Sequence, residues 1–392
     1  MKEQPESSGE IVVFTSGDSA DPATWSNIPC CLTQALIRRG FHVRRVDLSV
    51  SEKWHQLYYY TVWNVLKLIF RGKNDYDLSR TRLFRFIINA RVKRAVRKYS
   101  DAEIFISLPY CCQVKNYTDR PCLLICDWTF EHLIRSIKRR TPNSLEMDYI
   151  RFQREVIVDT DIVVSLFKTC AMEMSEIYGR EVIYLGQNVI NDLNPAPLSP
   201  EQMLSLKQRD TKTILFIGKK KYSGSAGTLI RAYRKICSEI SAELHIIGMT
   251  RADLGVEEEE SGIFCHGYLN KGRADDRSLY YELLSKATVV VNTSAGWAGY
   301  SSIVEAMYYH TPVIVSDYDE IVNDFGRDIS RFGIYMSDPD EEELAKGILS
   351  IVNHASYSSL ALSAHDAVAN YTWDSWVGKL LDVVRRGVLH TP

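Results

Sequence analysis

Several features of membrane-spanning and zinc-binding proteins are missing from this sequence. It contains no run of about 18 apolar residues, so we expect no helix that spans a bilayer. Its nine cysteines include no Cys-x-x-Cys spacing, and no His-x3-His spacing occurs either, so the common zinc motifs are excluded. No secretory signal is evident in the first residues, and an odd number of cysteines favours reduced thiols. We therefore expect a cytoplasmic protein.

An excess of charge of one sign is also missing. Lysine and arginine number 47 and aspartate and glutamate number 49, which leaves a formal net charge of -2. A chain with this balance has no overall attraction for nucleic acid, and we expect no nucleic-acid partner. Any anion that the protein binds must therefore be held by a local group of basic residues.

The length of the chain and the alternation of strand-like and helix-like segments predict an α/β fold with two domains. A chain of 392 residues is too long for one typical hydrophobic core. In each half, six short β-branched segments alternate with helical patterns, which is typical of a parallel sheet covered by helices. We predict a disordered leader over 1–10, Rossmann-like domains over 11–190 and 213–370, a linker over 191–212 and a C-terminal helix over 371–392.

The stretch Val289–Ser316 predicts a strand, a loop, a helix opened by Ser301 and Ser302, and a second strand. A helix N-terminus at the carboxyl end of a strand presents unpaired N–H groups and a partial positive charge, which together favour a diphosphate. Glu305 lies one turn further into the same helix. Its carboxylate is therefore placed to accept two hydrogen bonds from a ribose diol.

A basic, glycine-rich turn follows the first predicted strand of the second half. It contains three adjacent lysines flanked by glycines before a predicted helix over Thr228–Cys237: Gly218, Lys219, Lys220, Lys221 and Gly227. A strand, glycines and a following helix are typical of phosphate-binding loops, in which lysine neutralises the anion as a point charge. Three solvated lysines in a surface turn are the alternative interpretation.

Both stretches resemble the donor-site signature of family 4 retaining glycosyltransferases, which have the GT-B fold. The family has Glu-Ala-Met and then Gly-x-Pro-Val, and this chain has Val304–Met307 followed by Thr311–Val313. Two positions depart from the pattern, because Trp297 replaces a Glu that contacts the donor sugar and Ser225 replaces a Lys. The resemblance implies an N-terminal acceptor domain and a C-terminal nucleotide-sugar donor domain that face each other across a cleft, with a crossover helix at the C-terminus.

Two loops of the first half resemble one branch of that family. Trp25–Pro29 is similar to its Trp-Ser-Gly-x-Pro element, which faces the donor phosphates and the acceptor. Asn27 replaces the glycine there, and asparagine tolerates a left-handed backbone. Asp127–Phe130 is similar to Asp-Ala-Thr-Phe, which implies that Asp127 orients a hydroxyl of the acceptor or of the donor sugar. Capping of a helix by Ser26 or Asp127 is the alternative in each place.

The segment Cys265–Lys271 resembles a third element of the same branch, His-Gly-Phe-Leu-Asn-Lys. In GT-B donor sites this loop lines the pocket for the base, which implies that Tyr268 or a backbone amide contacts the base. A structural role is the alternative for His266, because histidine at such a strand end is more often structural than functional.

A strongly basic and aromatic region lies between Ser51 and Ser100, which contains 12 Lys and Arg residues and 3 Asp and Glu residues. Aromatic residues are concentrated in Trp54–Phe70, and basic residues follow in Arg80–Lys98. This combination indicates contact with an anionic membrane surface, where a lipid-linked acceptor would reside. A basic helix packed beside an aromatic core helix is the alternative.

The resemblance implies a retaining glycosyltransferase that moves a sugar from a nucleotide diphosphate donor to a hydroxyl acceptor, in glycan, polysaccharide or glycolipid biosynthesis. It implies Lys219, Asp127 and Glu305 as catalytic residues. The residues implied for donor binding are Asn27, Gly218, Lys219, Lys220, Lys221, Gly227, Tyr268, Ser301, Ser302 and Glu305. No cofactor and no metal are expected beyond the nucleotide sugar, and Asp317 of an Asp-x-Asp pair is predicted to cap a helix instead.

Two other functions are compatible with the sequence. A catalytically silent GT-B subunit that binds a partner enzyme is favoured by the departures at Trp297 and Ser225. A nucleotide-sugar epimerase shares the fold, although such an enzyme usually has more acidic residues in the cleft.

Overall fold

The computed structural model of this chain describes residues 9–186, 189–257, 260–294 and 300–389. The described residues form two compact units. The first unit contains those up to 186 together with those from Trp376 onward, and the second unit contains those from 189 to Ser375. Each unit is built on one six-stranded sheet.

The first sheet is parallel throughout and has the strand order β2-β1-β3-β4-β5-β6. Its strands are β1 (Glu10–Thr15), β2 (His42–Asp47), β3 (Ile104–Ser107), β4 (Cys122–Cys126), β5 (Ile162–Ser165) and β6 (Ile183–Tyr184). β3, β4 and β5 are buried along their whole length, as expected where helices cover both faces of a parallel sheet. The chain changes direction across the sheet between β1 and β3, and ligands bind beside such switch points.

The helices of the first unit differ at their N-termini, since three of them have a side-chain cap and four have none. They are α1 (Ile28–Arg38), α2 (Glu52–Tyr58), α3 (Asn64–Ile69), α4 (Arg82–Lys98), α5 (Phe130–His132), α6 (Ser144–Asp159) and α7 (Lys168–Tyr178). A wider helical turn over Tyr59–Trp63 joins α2 to α3, and another over Leu133–Ile137 continues α5. The Thr81 side chain caps α4, and a capping box formed by Asn143 and Glu146 opens α6.

The second sheet is also parallel and has the strand order β12-β11-β10-β7-β8-β9. Its strands are β7 (Lys212–Ile217), β8 (Ala242–Ile247), β9 (Ile263–Cys265), β10 (Val289–Asn292), β11 (Val313–Val315) and β12 (Gly333–Tyr335). Two clusters of buried apolar side chains form its core. The switch point of this sheet lies between β7 and β10, so the loops that follow these two strands form the candidate ligand site.

The helices of the second unit are α8 (Pro200–Lys207), α9 (Ser223–Ile236), α10 (Arg251–Leu254), α11 (Ala274–Lys286), α12 (Ser301–Tyr308), α13 (Asp319–Phe325), α14 (Glu341–Val352) and α15 (Tyr357–Val368). The last helix, α16 (Trp373–Leu389), begins in the second unit and belongs to the first unit from Trp376 onward. In the first unit, Lys379 of α16 donates a hydrogen bond to the Leu185 carbonyl, with an N···O distance of 3.0 Å.

The predicted α/β architecture is confirmed, since the six strands predicted in each half are all present among the described residues. The predicted leader lies outside the described residues as far as residue 8, and Glu10 already begins β1. The segment predicted as a linker, 191–212, belongs to the second unit and contains α8. No helix in the described part of the chain is long and apolar enough to cross a bilayer.

Candidate functional site

The floor of the candidate site is made by two glycines that lie backbone to backbone. Gly218 follows β7 and Gly248 follows β8, with the Gly248 backbone in the left-handed region at a φ of +100°. A Cβ atom on Gly248 would lie 2.5 Å from the Gly218 carbonyl oxygen, and one on Gly218 would lie 2.7 Å from Phe216. A side chain at Gly248 would therefore push the ends of the two strands apart, and one at Gly218 would displace the Phe216 ring.

The three lysines after Gly218 have different surroundings. The Lys220 ammonium lies 2.9 Å from the Asp253 carboxylate, so its charge is already partly neutralised. The Lys221 ammonium lies 4.7 Å from the centre of the Tyr222 ring. The Lys219 ammonium lies 5.9 Å from the centre of the Tyr268 ring, and no carboxylate of the described residues forms an ion pair with it. The charge of Lys219 is therefore available to an anion.

Two helix N-termini lie beside this turn, at the carboxyl edges of β7 and β10. α9 begins at Ser223 and α12 begins at Ser301, followed by Ser302, and neither helix has a side chain that caps it. The first N–H groups of α12 therefore favour an anion, as predicted, whereas the N–H group of Ser223 in α9 already donates to the Lys220 carbonyl. The prediction that Gly227 opens the first of these helices is wrong. The turn Lys220–Tyr222 runs directly into α9, so Gly227 lies in its second turn and its N–H group bonds within the helix.

Ser225 joins the two loops of the switch point. Its hydroxyl oxygen lies 3.0 Å from the Thr293 hydroxyl and accepts a hydrogen bond from the Thr293 N–H at 3.2 Å. Ser225 stands where the resemblance predicts a lysine, and this contact ties the first turn of α9 to the loop after β10. Trp297, the other departure from the family pattern, lies outside the described residues.

Glu305 is held inside the second unit by four hydrogen bonds. The Lys271 ammonium lies 2.6 and 2.9 Å from its two carboxylate oxygens. The hydroxyl of Tyr280 donates to one oxygen at 2.8 Å, and that of Tyr281 donates to the other at 3.3 Å. A carboxylate accepts about four hydrogen bonds, so these donors fill its capacity. The predicted ribose contact therefore stays a prediction, and it requires one of these donors to move.

Burial and charge act on the Glu305 carboxyl in opposite directions. Burial raises its pKa above the ordinary value, and the Lys271 ammonium opposes that shift. Lys271 also donates to the Asn191 carbonyl at 3.2 Å and lies 4.1 Å from the centre of the Tyr280 ring. Sequence reasoning missed Lys271 as a partner of Glu305, although it ends the His-Gly-Phe-Leu-Asn-Lys element.

The loop that was predicted to hold the base presents an aromatic side chain to solvent. Tyr268 is 62% exposed, while the neighbouring His266 is only partly exposed. The His266 ring lies 3.0 Å from Nδ1 of His245, whose other nitrogen lies 3.2 Å from the Glu243 carboxylate. Burial lowers the pKa of both histidines. This chain of contacts favours the structural interpretation of His266.

In the first unit, Asp127 stands at the carboxyl end of β4. Thr129 caps α5 by accepting a hydrogen bond from the His132 N–H at 3.1 Å, so the alternative role of Asp127 as the cap is wrong. Burial raises the pKa of Asp127 to about 6, and hydrogen bonding to its own backbone N–H opposes that shift, with a smaller effect of the Trp25 side chain.

Asn27 adopts the left-handed backbone that was predicted for it, at a φ of 72°. It is also the residue that precedes α1, and it makes no side-chain cap. Ser26 is therefore not the cap of this helix. Asp317 does not cap α13 either, because Tyr318 precedes that helix and the Asp317 carboxylate accepts a hydrogen bond from the Ser337 hydroxyl. Within the described ranges, no group of three His, Cys, Asp or Glu side chains is arranged to hold a metal ion.

Comparison with known proteins agrees with this geometry. The family model described as "Glycosyl transferases group 1" matches residues 211–354, which include the lysine turn, Tyr268 and the start of α12. Residues 211–354 are therefore similar to the group 1 glycosyl transferases. The predicted glycosyltransferase resemblance is therefore confirmed for this part of the chain, and Trp25 and Asp127 lie outside it.

Relatives extend the likeness beyond the group 1 glycosyl transferase segment. An uncharacterized glycosyltransferase of Methanocaldococcus jannaschii is 26% identical over 238 residues, which are 57% of this chain and 59% of the relative. The alignment thus spans less than two thirds of that protein.

Two solved structures match nearly the whole fold. Sucrose-phosphate synthase from Thermosynechococcus elongatus has a TM-score of 0.64 at 14% identity, covering 98% of this chain and 100% of that one. HepE from Anabaena, solved in complex with UDP and glucose, has a TM-score of 0.59 at 13% identity, covering 95% and 99%. At this identity the comparison shows the fold, which is GT-B as predicted.

Proposed function

We propose that this chain is a retaining glycosyltransferase that moves a sugar from a nucleoside diphosphate to a hydroxyl acceptor. The observation that carries the proposal is the position of Lys219. It follows β7 at the switch point of the second sheet, directly before α9, and no carboxylate of the described residues neutralises it. A cation beside two uncapped helix N-termini is the arrangement that a diphosphate requires.

The chemistry follows from the charge that grows on the leaving group. As the bond between the anomeric carbon and the phosphate oxygen breaks, the diphosphate gains negative charge, which Lys219 and the N–H groups of α9 and α12 stabilise. The acceptor oxygen forms the new bond on the same face of the sugar, and its proton passes to the leaving phosphate. This route retains the configuration and needs no protein nucleophile. Asp127 is proposed to accept a hydrogen bond from a hydroxyl of the acceptor or of the sugar.

The donor is proposed to be a nucleotide sugar whose base contacts Tyr268. An exposed aromatic ring 5.9 Å from the Lys219 ammonium offers a base a stacking surface beside the phosphate site. UDP is the nucleotide to test first, because HepE was solved with UDP and glucose.

The test is calorimetric titration with UDP, followed by assays of transfer and of donor hydrolysis with common UDP-sugars. We expect binding that is nearly unchanged in excess chelator, and a product whose anomeric configuration, read by NMR, matches the donor. Binding without transfer or hydrolysis would favour the catalytically silent subunit. Inversion of a sugar carbon in the free nucleotide sugar would favour the epimerase.

We further propose that the acceptor is presented at an anionic membrane surface. Between Glu52 and Ile69 only Tyr58 is buried, so this helical segment is not a core helix. Tyr60 and Leu68 are 74% and 81% exposed, and Phe86 of α4 is 73% exposed. The exposed basic residues between Ser51 and Ser100 are Lys53, Lys67, Arg71, Lys73, Arg82, Arg91, Lys93, Arg94, Arg97 and Lys98. Apolar and aromatic side chains beside lysine and arginine fit the interface of an anionic bilayer, where a lipid-linked acceptor resides.

A further inference from the structure

Three polar side chains form a row of hydrogen bonds beside the loop that was predicted to hold the base. Glu243 and His245 are two residues apart in β8, so their side chains share one face of the sheet, and His266 follows the neighbouring strand β9. The Glu243 carboxylate lies 3.2 Å from Nε2 of His245, whose Nδ1 lies 3.0 Å from Nε2 of His266. The planes of the two imidazole rings are 3° apart, as in an N–H···N bond that lies in the plane of both rings.

The ionised carboxylate sets the direction of both hydrogen bonds in this row. A carboxylate only accepts, so Nε2 of His245 carries a hydrogen and donates it to Glu243. Burial lowers the pKa of both histidines, so each is neutral near pH 7 and carries one N–H. Nδ1 of His245 is therefore an acceptor, and Nε2 of His266 donates to it. The Nδ1 atom of His266 is left with a lone pair.

This lone pair lies next to the candidate site and is not used by the protein. Nδ1 of His266 has no hydrogen-bond partner in the described part of the chain, and the side chain is partly exposed. The next residue, Gly267, fixes the loop against the floor of the site, because its carbonyl accepts a hydrogen bond from the Gly248 N–H at 2.7 Å. Tyr268 follows, with its exposed ring 5.9 Å from the Lys219 ammonium. An unused acceptor is thus two residues away from the ring that is proposed to stack on the base.

We propose that His266 determines which nucleobase the donor site accepts, with its Nδ1 atom accepting a hydrogen bond from a ring N–H of the base. Uracil and thymine carry such an N–H at N3, and guanine carries one at N1. Cytosine and adenine have a lone pair at the corresponding nitrogen, which would face the lone pair of His266 and leave both unpaired. This inference rests on the proposed nucleotide-sugar donor and names the class of base that the donor contains.

Calorimetric titration of the wild type with two pairs of nucleotides tests the inference without any substitution. The pairs are UDP with CDP and GDP with ADP. We expect the nucleotide with the ring N–H to bind at least about tenfold more tightly than its partner, because the mismatch leaves two acceptors face to face. The pair that binds more tightly distinguishes a pyrimidine donor from a purine donor. Equal affinities within both pairs would overturn the inference even if sugar transfer is observed.

Two variants separate base recognition from a structural role of the row. In His266→Gln, the amide N–H replaces the donor to His245, and no acceptor remains at the position of Nδ1. We expect the preference within the tighter pair to fall to about twofold or less. Glu243→Gln should also reduce the preference, since an amide donates as well as accepts and no longer sets the direction of the row. Glu239→Gln, at an exposed position of the same unit, is the matched control. A wild-type preference in His266→Gln would overturn the inference.

The direction of the hydrogen bonds is also measured by itself. In protein labelled with nitrogen-15 in the imidazole rings, NMR distinguishes a protonated ring nitrogen from an unprotonated one. We expect the hydrogen on Nε2 in both His245 and His266 at pH 7. A hydrogen on Nδ1 of His266 would overturn the inference. The expected tautomers in a chain that binds none of the four nucleotides would instead remove the proposed function together with the role in base recognition, and leave the row of hydrogen bonds standing.

Discussion

Lys271 and Glu305 form a buried ion pair inside the second unit. The ammonium lies 2.6 and 2.9 Å from the two carboxylate oxygens, and both residues are less than a tenth exposed. Two tyrosine hydroxyls complete the hydrogen bonds of the carboxylate. Since Glu305 lies on α12, whose N-terminus belongs to the candidate site, this pair fixes the helix that is proposed to face the diphosphate.

Glu305→Gln should lower the free energy of unfolding by about 3–5 kcal/mol, because it leaves the Lys271 charge buried without a countercharge. Urea unfolding of the wild type and the variant measures the difference. The double variant Glu305→Leu with Lys271→Met should recover much of the loss, since it removes both charges together.

The control is a pair on the surface of α11. Lys286 and Glu282 form an ion pair in which both side chains are at least a third exposed. Glu282→Gln should therefore change the free energy of unfolding by no more than about 1 kcal/mol. Equal effects of Glu305→Gln and Glu282→Gln would show that burial does not strengthen the Lys271 pair.

Lys219→Ala should lower the turnover of sugar transfer by about tenfold to a thousandfold, because it removes one preorganised contact to the charge on the leaving group. Lys220→Ala is the matched control, since Lys220 is adjacent in sequence and already paired with Asp253. Initial rates at saturating donor compare the two variants. A larger loss in Lys220→Ala than in Lys219→Ala would transfer the proposed role to Lys220.

Asp127→Asn should stabilise the fold at neutral pH while it lowers activity. The pKa of Asp127 is about 6 in the folded chain, above the value of about 3.9 in an unfolded one. The folded state thus binds this proton more tightly, so the contribution of Asp127 to stability is greatest below about pH 4 and is lost as the pH rises through about 6. At pH 7 the loss is about 3 kcal/mol.

Urea unfolding between pH 4 and pH 7 checks this prediction. The stability of Asp127→Asn relative to the wild type should increase over that interval, and little difference is expected at pH 4. Asp119→Asn, at an exposed position of the same unit, is the control for the replacement of an aspartate by asparagine. A difference for Asp127→Asn that is constant from pH 4 to pH 7 would contradict the raised pKa.

Vesicles that contain anionic lipid should sediment the protein at low salt and release it at high salt, because salt screens the attraction between lipid and basic residues. Leu68→Ser should reduce the bound fraction, since Leu68 is 81% exposed and its replacement leaves the core unchanged. Leu362→Ser changes an exposed leucine of the second unit and serves as the control. Equal sedimentation with neutral and anionic vesicles would remove the proposed membrane surface.

The fold was predictable because most of its strands can be recognised from short continuous segments of the sequence. Most strands of a covered parallel sheet are short apolar runs, as in Cys122–Cys126 and Val313–Val315, and such runs stand out in one sequence. The first residue of α9 was harder to predict from the sequence. Glycine disfavours helix interiors, so Gly224 and Gly227 suggested a turn, and packing of Leu229 and Ile230 into the core overrides that preference.

The candidate site was only partly predictable, because its chemistry depends on partners that are distant in sequence. The three lysines look equivalent until Asp253 is seen to pair with Lys220. Lysine is rarely buried, so no pattern predicted that Lys271 would occupy both oxygens of Glu305.

The contact between Gly218 and Gly248 has a consequence for how this protein can change. Both positions are partly open to solvent, yet neither has room for a single methyl group against its neighbours. In a library of point variants selected for activity, we expect them to be as intolerant as the fully buried Val290, while Lys220 and Lys221 beside them accept many replacements. Substitutions that accumulate in this site are therefore expected at the side chains around the two glycines. The specificity of the site can change in this way while the backbone next to the phosphate stays the same.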